Sequence, residues 1–364
     1  MPNKIKVLII DDSALVRKLL TEILAEDSSI DVVGTAQDPF IAREKIKRLN
    51  PDVLTLDVEM PKMDGITFLR NLMRLRPMPV VMVSSLTQSG ADVTLQALEI
   101  GAVDFVSKPV ADIAHQLKTY GDELIEKIKA AAGARVKSYQ GKTVTTLHVD
   151  KKHTADVILN KSTRHHFTTT EAIVAIGAST GGTEAIKEVL IRLPADTPGI
   201  VITQHIPGNF STAFANRMNG VSALNVCEAR DGQQILPGHA YIAPGDKHLL
   251  VKANGARYHC KLCDGPPVNR HKPSVDVLFR SVAQSAGSNS VGILLTGMGD
   301  DGARGLKELQ ETGTTTIAQD EKTSVVWGMP GAAVKLEAAD YILPLQQVAS
   351  KIVALTEHER RFGT

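Results

Sequence analysis

Two adjacent carboxylates, Asp11 and Asp12, close the first apolar run of the chain, and a third, Asp57, closes a later one. Ser84 and Lys108 stand at the ends of two more. Carboxylates brought together repel one another unless a cation intervenes, and a hard divalent ion such as Mg2+, which prefers oxygen ligands, would supply that charge. Lys108 adds a fixed positive charge and Ser84 a hydroxyl, both suited to a phosphoryl oxygen. An aspartate held among them can accept a phosphoryl group as a carboxylate nucleophile. Any one of these aspartates could equally cap a helix or end a strand. Their joint placement at strand ends argues for chemistry.

A second constellation starts at "GASTGG", residues 177–182. Gly177, Ser179 and Gly181 match G-x-S-x-G, with a strand pattern before and a helical pattern after. Gly177, Gly181 and Gly182 do not have the G-x-G-x-x-G spacing of a dinucleotide turn. Small residues alone would also make a tight turn. A serine nucleophile needs a base, and the base needs an orienting acid. His205 ends the run "GIVITQH" (199–205), where it could stand beside Ser179 on one edge of a parallel sheet; a lone histidine elsewhere is usually structural. Asp300 and Asp301 follow the run "VGILLTGM" (291–298), and spacing does not choose between them. The order Ser, His, Asp differs from that of the α/β-hydrolases, chymotrypsin and subtilisin, so a different α/β fold is implied.

The elements that must position these residues are legible as periodicity. Near-continuous Val, Ile and Leu runs at 6–11, 31–36, 53–57, 79–85 and 104–109 alternate with amphipathic segments, which predicts five strands of a doubly wound parallel sheet. In such sheets the site lies outside the carboxyl ends of the strands. From 171 the alternation resumes with strands at 172–179, 199–205 and 291–298, and helices at about 182–192 and from about 300. The β-rich stretches "NVCEAR", "HAYIAP", "LLVKAN" and "RYHCKL" lie between them. This predicts an α/β domain with a mainly parallel sheet and a β insertion.

With 364 residues and 43% hydrophobic content the chain can bury two cores. Residues 131–170 carry 7 basic and 2 acidic residues, are rich in Lys, His, Thr and Ser, and read as a linker. The expected division is a first domain over 1–125, a polar linker over 126–170 and a second domain over 171–364. No run of about 18 apolar residues and no leader pattern is present, which predicts a cytoplasmic protein without membrane insertion. Three cysteines, Cys227, Cys260 and Cys263, do not make a disulfide framework. The single C-x-x-C with His271 nearby is a weak zinc signal, and two strand cysteines are the simpler reading.

Residues 5 to about 120 resemble a bacterial response-regulator receiver, on "IIDDS", "LDVEMPKMDG", "VSS" and "SKP". The resemblance implies strand order 2-1-3-4-5, as in flavodoxin-like folds, and phosphorylation of Asp57 by a histidine kinase. It also implies Mg2+ held by Asp12, Asp57 and the backbone carbonyl of Glu59 with Asp11 assisting, and phosphate sensing by Ser84 and Lys108. Phe105 falls where receivers carry an aromatic switch residue; a core aromatic is an equal reading. "GASTGG", "TQHIP", "GPPVNRHKPSVDVLF", "LTGMGDDG" and "VWGMPGAA" resemble the catalytic domain of the chemotaxis-specific protein-glutamate methylesterases, over nearly all of 171–355. This second resemblance implies a triad of Ser179, His205 and Asp301, with Thr180 and Met298 beside the tetrahedral intermediate. The implied substrates are glutamate methyl esters and glutamines of chemoreceptors, hydrolysed without cofactor or metal.

Two other output classes are testable against this reading. Residues 171–364 carry 18 basic and 19 acidic residues, a net charge of −1, with no evident helix-turn-helix, which argues against nucleic acid as a partner. A binding module whose G-x-S-x-G turn holds a ligand without chemistry would leave Ser179 unreactive toward an organophosphonate.

Overall fold

The alternating apolar runs become strands, and those inside each sheet are buried on both faces because helices from the intervening segments cover each side. In the computed structural model residues 4–60, 63–84, 88–108, 117–134, 136 and 172–362 are described. The chain divides into two units, Met1–Thr143 and Val144–Thr364.

The first unit alternates β1 (Ile5–Ile10), α1 (Ala14–Ala25), β2 (Ile30–Ala36), α2 (Pro39–Leu49), β3 (Val53–Asp57), α3 (Gly65–Leu75), β4 (Val80–Ser84), α4 (Gln88–Ile100), β5 (Asp104–Ser107) and α5 (Leu117–Ala132). Its sheet runs β2-β1-β3-β4-β5, every pair parallel, as the receiver resemblance implies. Local chemistry sets the helix starts: Ser13, Asp38 and Asp64 accept hydrogen bonds from the first-turn amides of α1, α2 and α3. Helix α5 continues through Ala132, so residues 126–132, expected in the linker, are helical instead. The rest of the expected linker, apart from Gly133, Ala134 and Val136, lies outside the described residues.

The second unit contains β6 (Ile173–Ala178), α6 (Gly182–Leu190), β7 (Gly199–Gln204), α7 (Gly208–Asn219), β8 (Asn225–Glu228), β9 (His239–Ile242), β10 (His248–Asn254), β11 (Arg257–Cys263), α8 (Val275–Ser285), β12 (Ser290–Leu294), α9 (Ala303–Glu311), β13 (Thr315–Gln319), α10 (Met329–Lys335), β14 (Tyr341–Leu343) and α11 (Leu345–Phe362). A seven-stranded parallel sheet runs β14-β13-β12-β6-β7-β9-β8. The β-rich stretch divides: β8 and β9 extend this sheet, and only β10 and β11 form a separate antiparallel pair. From β6 the chain builds toward β8 on one side and then returns to place β12 on the other. The order therefore reverses beside β6, which makes the carboxyl ends of β6 and β12 the crevice where such sheets bind ligands. Among the described residues no helix is long and apolar enough to cross a membrane.

Candidate functional site

In the first unit the strand ends gather the expected acidic cluster. Carboxylate oxygens of Asp11, Asp12 and Asp57 lie within 4.8 Å of one another, with Asp11 and Asp57 buried and Asp12 exposed. Lys108, just past β5, places Nζ 2.8 Å from Asp57 Oδ2 and 3.6 Å from Asp11 Oδ2. Glu59 N–H donates to Asp57 Oδ1 at 3.3 Å, and Ser13 N–H to Asp11 Oδ1 at 2.9 Å. Burial, helped by the Asp11 charge and opposed by Lys108, pushes the Asp57 carboxyl up to about 6. Burial also raises Asp11, again against Lys108. Burial alone would lower Lys108, but the carboxylates around it raise it. The cluster thus has more negative charge than one lysine neutralises, and Asp11 Oδ2 is buried without a hydrogen-bond partner. An all-oxygen set of this kind fits a hard divalent cation. Ser84, buried at the end of β4, directs Oγ toward the Gly90 carbonyl at 3.4 Å, and Phe105 is buried on β5.

In the second unit three chain segments meet. Ala178 pairs with Gln204 at the ends of β6 and β7, so the next residues, Ser179 and His205, emerge side by side. His205 N–H donates to the Ala178 carbonyl at 3.1 Å, which ties the end of β7 to that of β6, and Ser179 N–H donates to the Thr296 carbonyl at 3.0 Å, which ties the end of β6 to the segment after β12. The Gln204 amide adds donors to the Ser179 and His205 carbonyls at 2.9 and 3.2 Å. Gly181, at φ +75°, turns the chain from β6 into α6 in a conformation that favours glycine. At Gly297 a Cβ would fall 2.8 Å from Ser179 Cβ, so a glycine there lets the segment leading to Met298 lie against the serine.

His205 Nδ1 stands 3.1 Å from Ser179 Oγ, and His205 Nε2 stands 2.9 Å from Asp301 Oδ2. An ionised carboxylate only accepts, so the hydrogen belongs on Nε2 and the lone pair of Nδ1 faces the serine hydroxyl. Asp301 is 1% exposed. Burial alone would raise its carboxyl, but hydrogen bonds and charge from His205, with further donors from Asn269 and Val275, hold it far below the ordinary range. Asp300, its neighbour, is exposed, and of the two it is Asp301 that lies within hydrogen-bond distance of His205. Thr180 is buried and its carbonyl accepts from Thr296 Oγ1 at 3.0 Å; Met298 is half-buried.

Sequence reasoning quoted the stretch "GPPVNRHKPSVDVLF" for its resemblance but gave none of its residues a part in holding Asp301. Asn269 Nδ2 donates to Asp301 Oδ1 at 2.6 Å, Ser274 Oγ to the same oxygen at 2.8 Å, and Val275 N–H to Oδ2 at 2.6 Å. His271 stacks on His205 with centroids 3.7 Å apart and planes 14° from parallel. The one local signal was Ser274, an N-cap type placed directly before the apolar run of α8.

Comparison with known proteins finds a match for each of the two units. Residues 7–118 match the response regulator receiver domain, and residues 174–352 match CheB methylesterase. The protein-glutamate methylesterase/protein-glutamine glutaminase of Hydrogenovibrio crunogenus is 59% identical over 374 residues, covering 97% of this chain and 99% of its own. A Xanthomonas oryzae pv. oryzae protein of the same description is 58% identical over 360 residues, covering 99% of each chain. The crystal structure of the Thermotoga maritima CheB methylesterase catalytic domain aligns with a TM-score of 0.50 at 38% identity, over 51% of this chain and 98% of that one. Receiver and α/β unit together define a response regulator with an enzymatic output. The chain belongs to the protein-glutamate methylesterase/protein-glutamine glutaminase family.

Proposed function

We propose that the chain is a phosphorylation-regulated serine hydrolase that removes methyl groups from glutamate γ-esters of chemoreceptors and deamidates their glutamines, with Ser179 as nucleophile. Ser179 Oγ attacks the γ-carbonyl while His205 Nδ1 takes the hydroxyl proton. The oxyanion forms beside Thr180 and Met298, at the N-terminal end of α6. Collapse of the intermediate breaks the C–O bond, and the proton on His205 goes to the departing methoxide to give methanol. Water then attacks the acyl-enzyme, giving its proton to His205, and the glutamate carboxyl leaves as Ser179 regains its hydrogen. With a glutamine substrate the first leaving group is ammonia. Asp301 keeps the imidazole in the tautomer that presents Nδ1 to the serine.

In the receiver reading, Asp57 takes the phosphoryl group from a chemotaxis histidine kinase, and Lys108 and Ser84 meet the phosphoryl oxygens. Asp11, Asp12, Asp57 and the Glu59 carbonyl would hold Mg2+, which would neutralise phosphoryl charge there. In this reading the receiver runs through the end of α5 at Ala132 and the catalytic domain over 171–364, and a chain that acts with a kinase and on chemoreceptors in this way is cytoplasmic.

What supports the hydrolytic reading most is the line from Ser179 Oγ through His205 to Asp301, at 3.1 and 2.9 Å. The test is methanol release from methylated receptor. Wild type is expected to release it and Ser179→Ala to lose nearly all of the rate; an active Ser179→Ala chain would overturn the assignment.

A further inference from the structure

Asp276, the second residue of α8, is a buried carboxylate that the hydrolytic line does not use. Gly305 N–H donates to its Oδ1 at 2.6 Å and Asn269 Nδ2 to its Oδ2 at 2.6 Å. The same Asn269 nitrogen reaches Asp301 Oδ1, also at 2.6 Å. An amide nitrogen carries two hydrogens, so each carboxylate takes one. Asp276 N–H adds a longer contact to Asp301 Oδ1 at 3.3 Å.

The two aspartates also exchange helices. Asp301, just before α9, accepts from the first amides of α8, and Asp276, at the start of α8, accepts from an amide of α9. Burial, reinforced by the nearby Asp301 charge, pushes the Asp276 carboxyl up to about 6, so above that pH the site holds a second anion. Asp301 faces Asp276 from the loop before α9. Arg280 lies one turn along α8, its guanidinium occupied by Glu308 of α9 at 2.6 and 2.7 Å. On β10, His248 accepts from Ser274 N–H at 3.2 Å, and the charge of Lys272 acts on that imidazole. His205, stacked on His271, is the cationic partner that forms during turnover.

We propose that Asp276 is a positioning residue of the esterase site: through Asn269 it holds Asp301 in line with His205, and its negative charge favours the imidazolium that His205 becomes. This rests on the reading of Ser179, His205 and Asp301 as the hydrolytic line. Asn269 can satisfy both carboxylates only while both are acceptors. An amide at position 276 would still accept from Gly305, but would either turn a donor toward Asn269 or lose that contact.

The test uses the full chain, with methanol release from methylated receptor read as kcat, KM and pH profile. Asp276→Asn is expected to lower kcat about ten- to hundredfold, the cost of one charge-assisted hydrogen bond, with KM nearly unchanged. The acid limb of its kcat/KM profile moves, because the carboxyl that burial raises to about 6 no longer titrates beside Asp301. Asn269→Ala, which cuts the bridge and leaves both carboxylates, lowers kcat similarly, and the double variant costs less than the product of the singles. A folded Asp276→Asn with wild-type kcat and an unmoved acid limb overturns the proposal and leaves Asp276 as a cap of α9. Losses in both variants that follow only the fraction of folded protein overturn it too. Ser179→Ala run alongside separates the levels: if it is inactive while Asp276→Asn is unaffected, only the role of Asp276 falls. If Ser179→Ala is active, the hydrolytic reading falls, and this proposal with it.

Discussion

Asp300 and Asp301 share one chemistry and differ in everything around it. Asp300 is exposed, whereas Asp301 is buried and accepts from His205, Asn269, Ser274 and Val275. An amide at 301 would present a donor to Nε2 or lose its bond, and would release the tautomer that points Nδ1 at Ser179. Asp301→Asn is therefore expected to lower kcat by up to about 10⁴, as the loss of the orienting acid does in a comparable triad. Asp300→Asn should remain within about threefold of wild type, since a solvated carboxylate contributes little. Methanol release by the two variants, each checked for folding by circular dichroism, decides the matter; the reverse order of effects would transfer the orienting role to Asp300. The candidate pair was legible from residue type and strand-end position. Spacing alone left the choice within it open, and only the family resemblance implied Asp301, because solvation and hydrogen-bond donors come from residues about 25 to 96 positions away.

At the level of elements, the site depends on how closely α8 lies against β6. Gly177, inside β6, has Val275 of α8 directly above it, and a Cβ there would fall 2.1 Å from Val275 Cγ1. Val275 N–H is also a donor to Asp301. Gly177→Ala should push α8 outward, at a cost of about 1–3 kcal/mol in stability from overpacking. It should lower kcat as well, because the displaced amide no longer holds Asp301. Thermal unfolding together with methanol release tests this, and a variant with wild-type melting and rate would show that α8 has room to spare. Strands and helices of both units were readable from period, since burial on both faces leaves near-continuous apolar runs. The stretch between β11 and α8 has no such period, and Asn269 and Arg270 within it take left-handed backbone, φ 51° and 69°. Nothing local announces that this stretch carries Asn269 and His271 to the site. It is shaped by what it contacts.

For the molecule as a whole, the two units carry separable chemistry on one chain, so control must be measured with both present. Asp57→Asn is expected to take up no phosphoryl group from a small-molecule phosphodonor with Mg2+, because an amide cannot form an acyl phosphate. Its methylesterase rate should stay at the unphosphorylated level when the donor is added, while that of wild type rises. Full labelling of the variant would remove Asp57 as the acceptor. A relative's catalytic domain crystallises by itself. The comparison to make is a polypeptide of residues 171–364, which lies within the second unit, beside the full chain. It should be faster than the unphosphorylated full-length protein if the receiver restrains the esterase. An equal or slower rate would point to activation by positive contact.

Read alone, the sequence determined what depends on neighbours along the chain. Period marks the strands, Gly177, Ser179 and Gly181 mark the turn, and parallel-sheet geometry assigns Asp11, Asp57, Lys108, Ser179 and His205 to strand carboxyl ends. Tertiary structure decided what depends on neighbours in space. It brought Asp301 within hydrogen-bond distance of His205 and left Asp300 exposed, set His271 against His205, and joined Asp276 to Asp301 through one amide nitrogen. Hydrogen-bond donors and desolvation act over a few ångströms, and the chain brings distant residues within that range only once the helices and strands have packed.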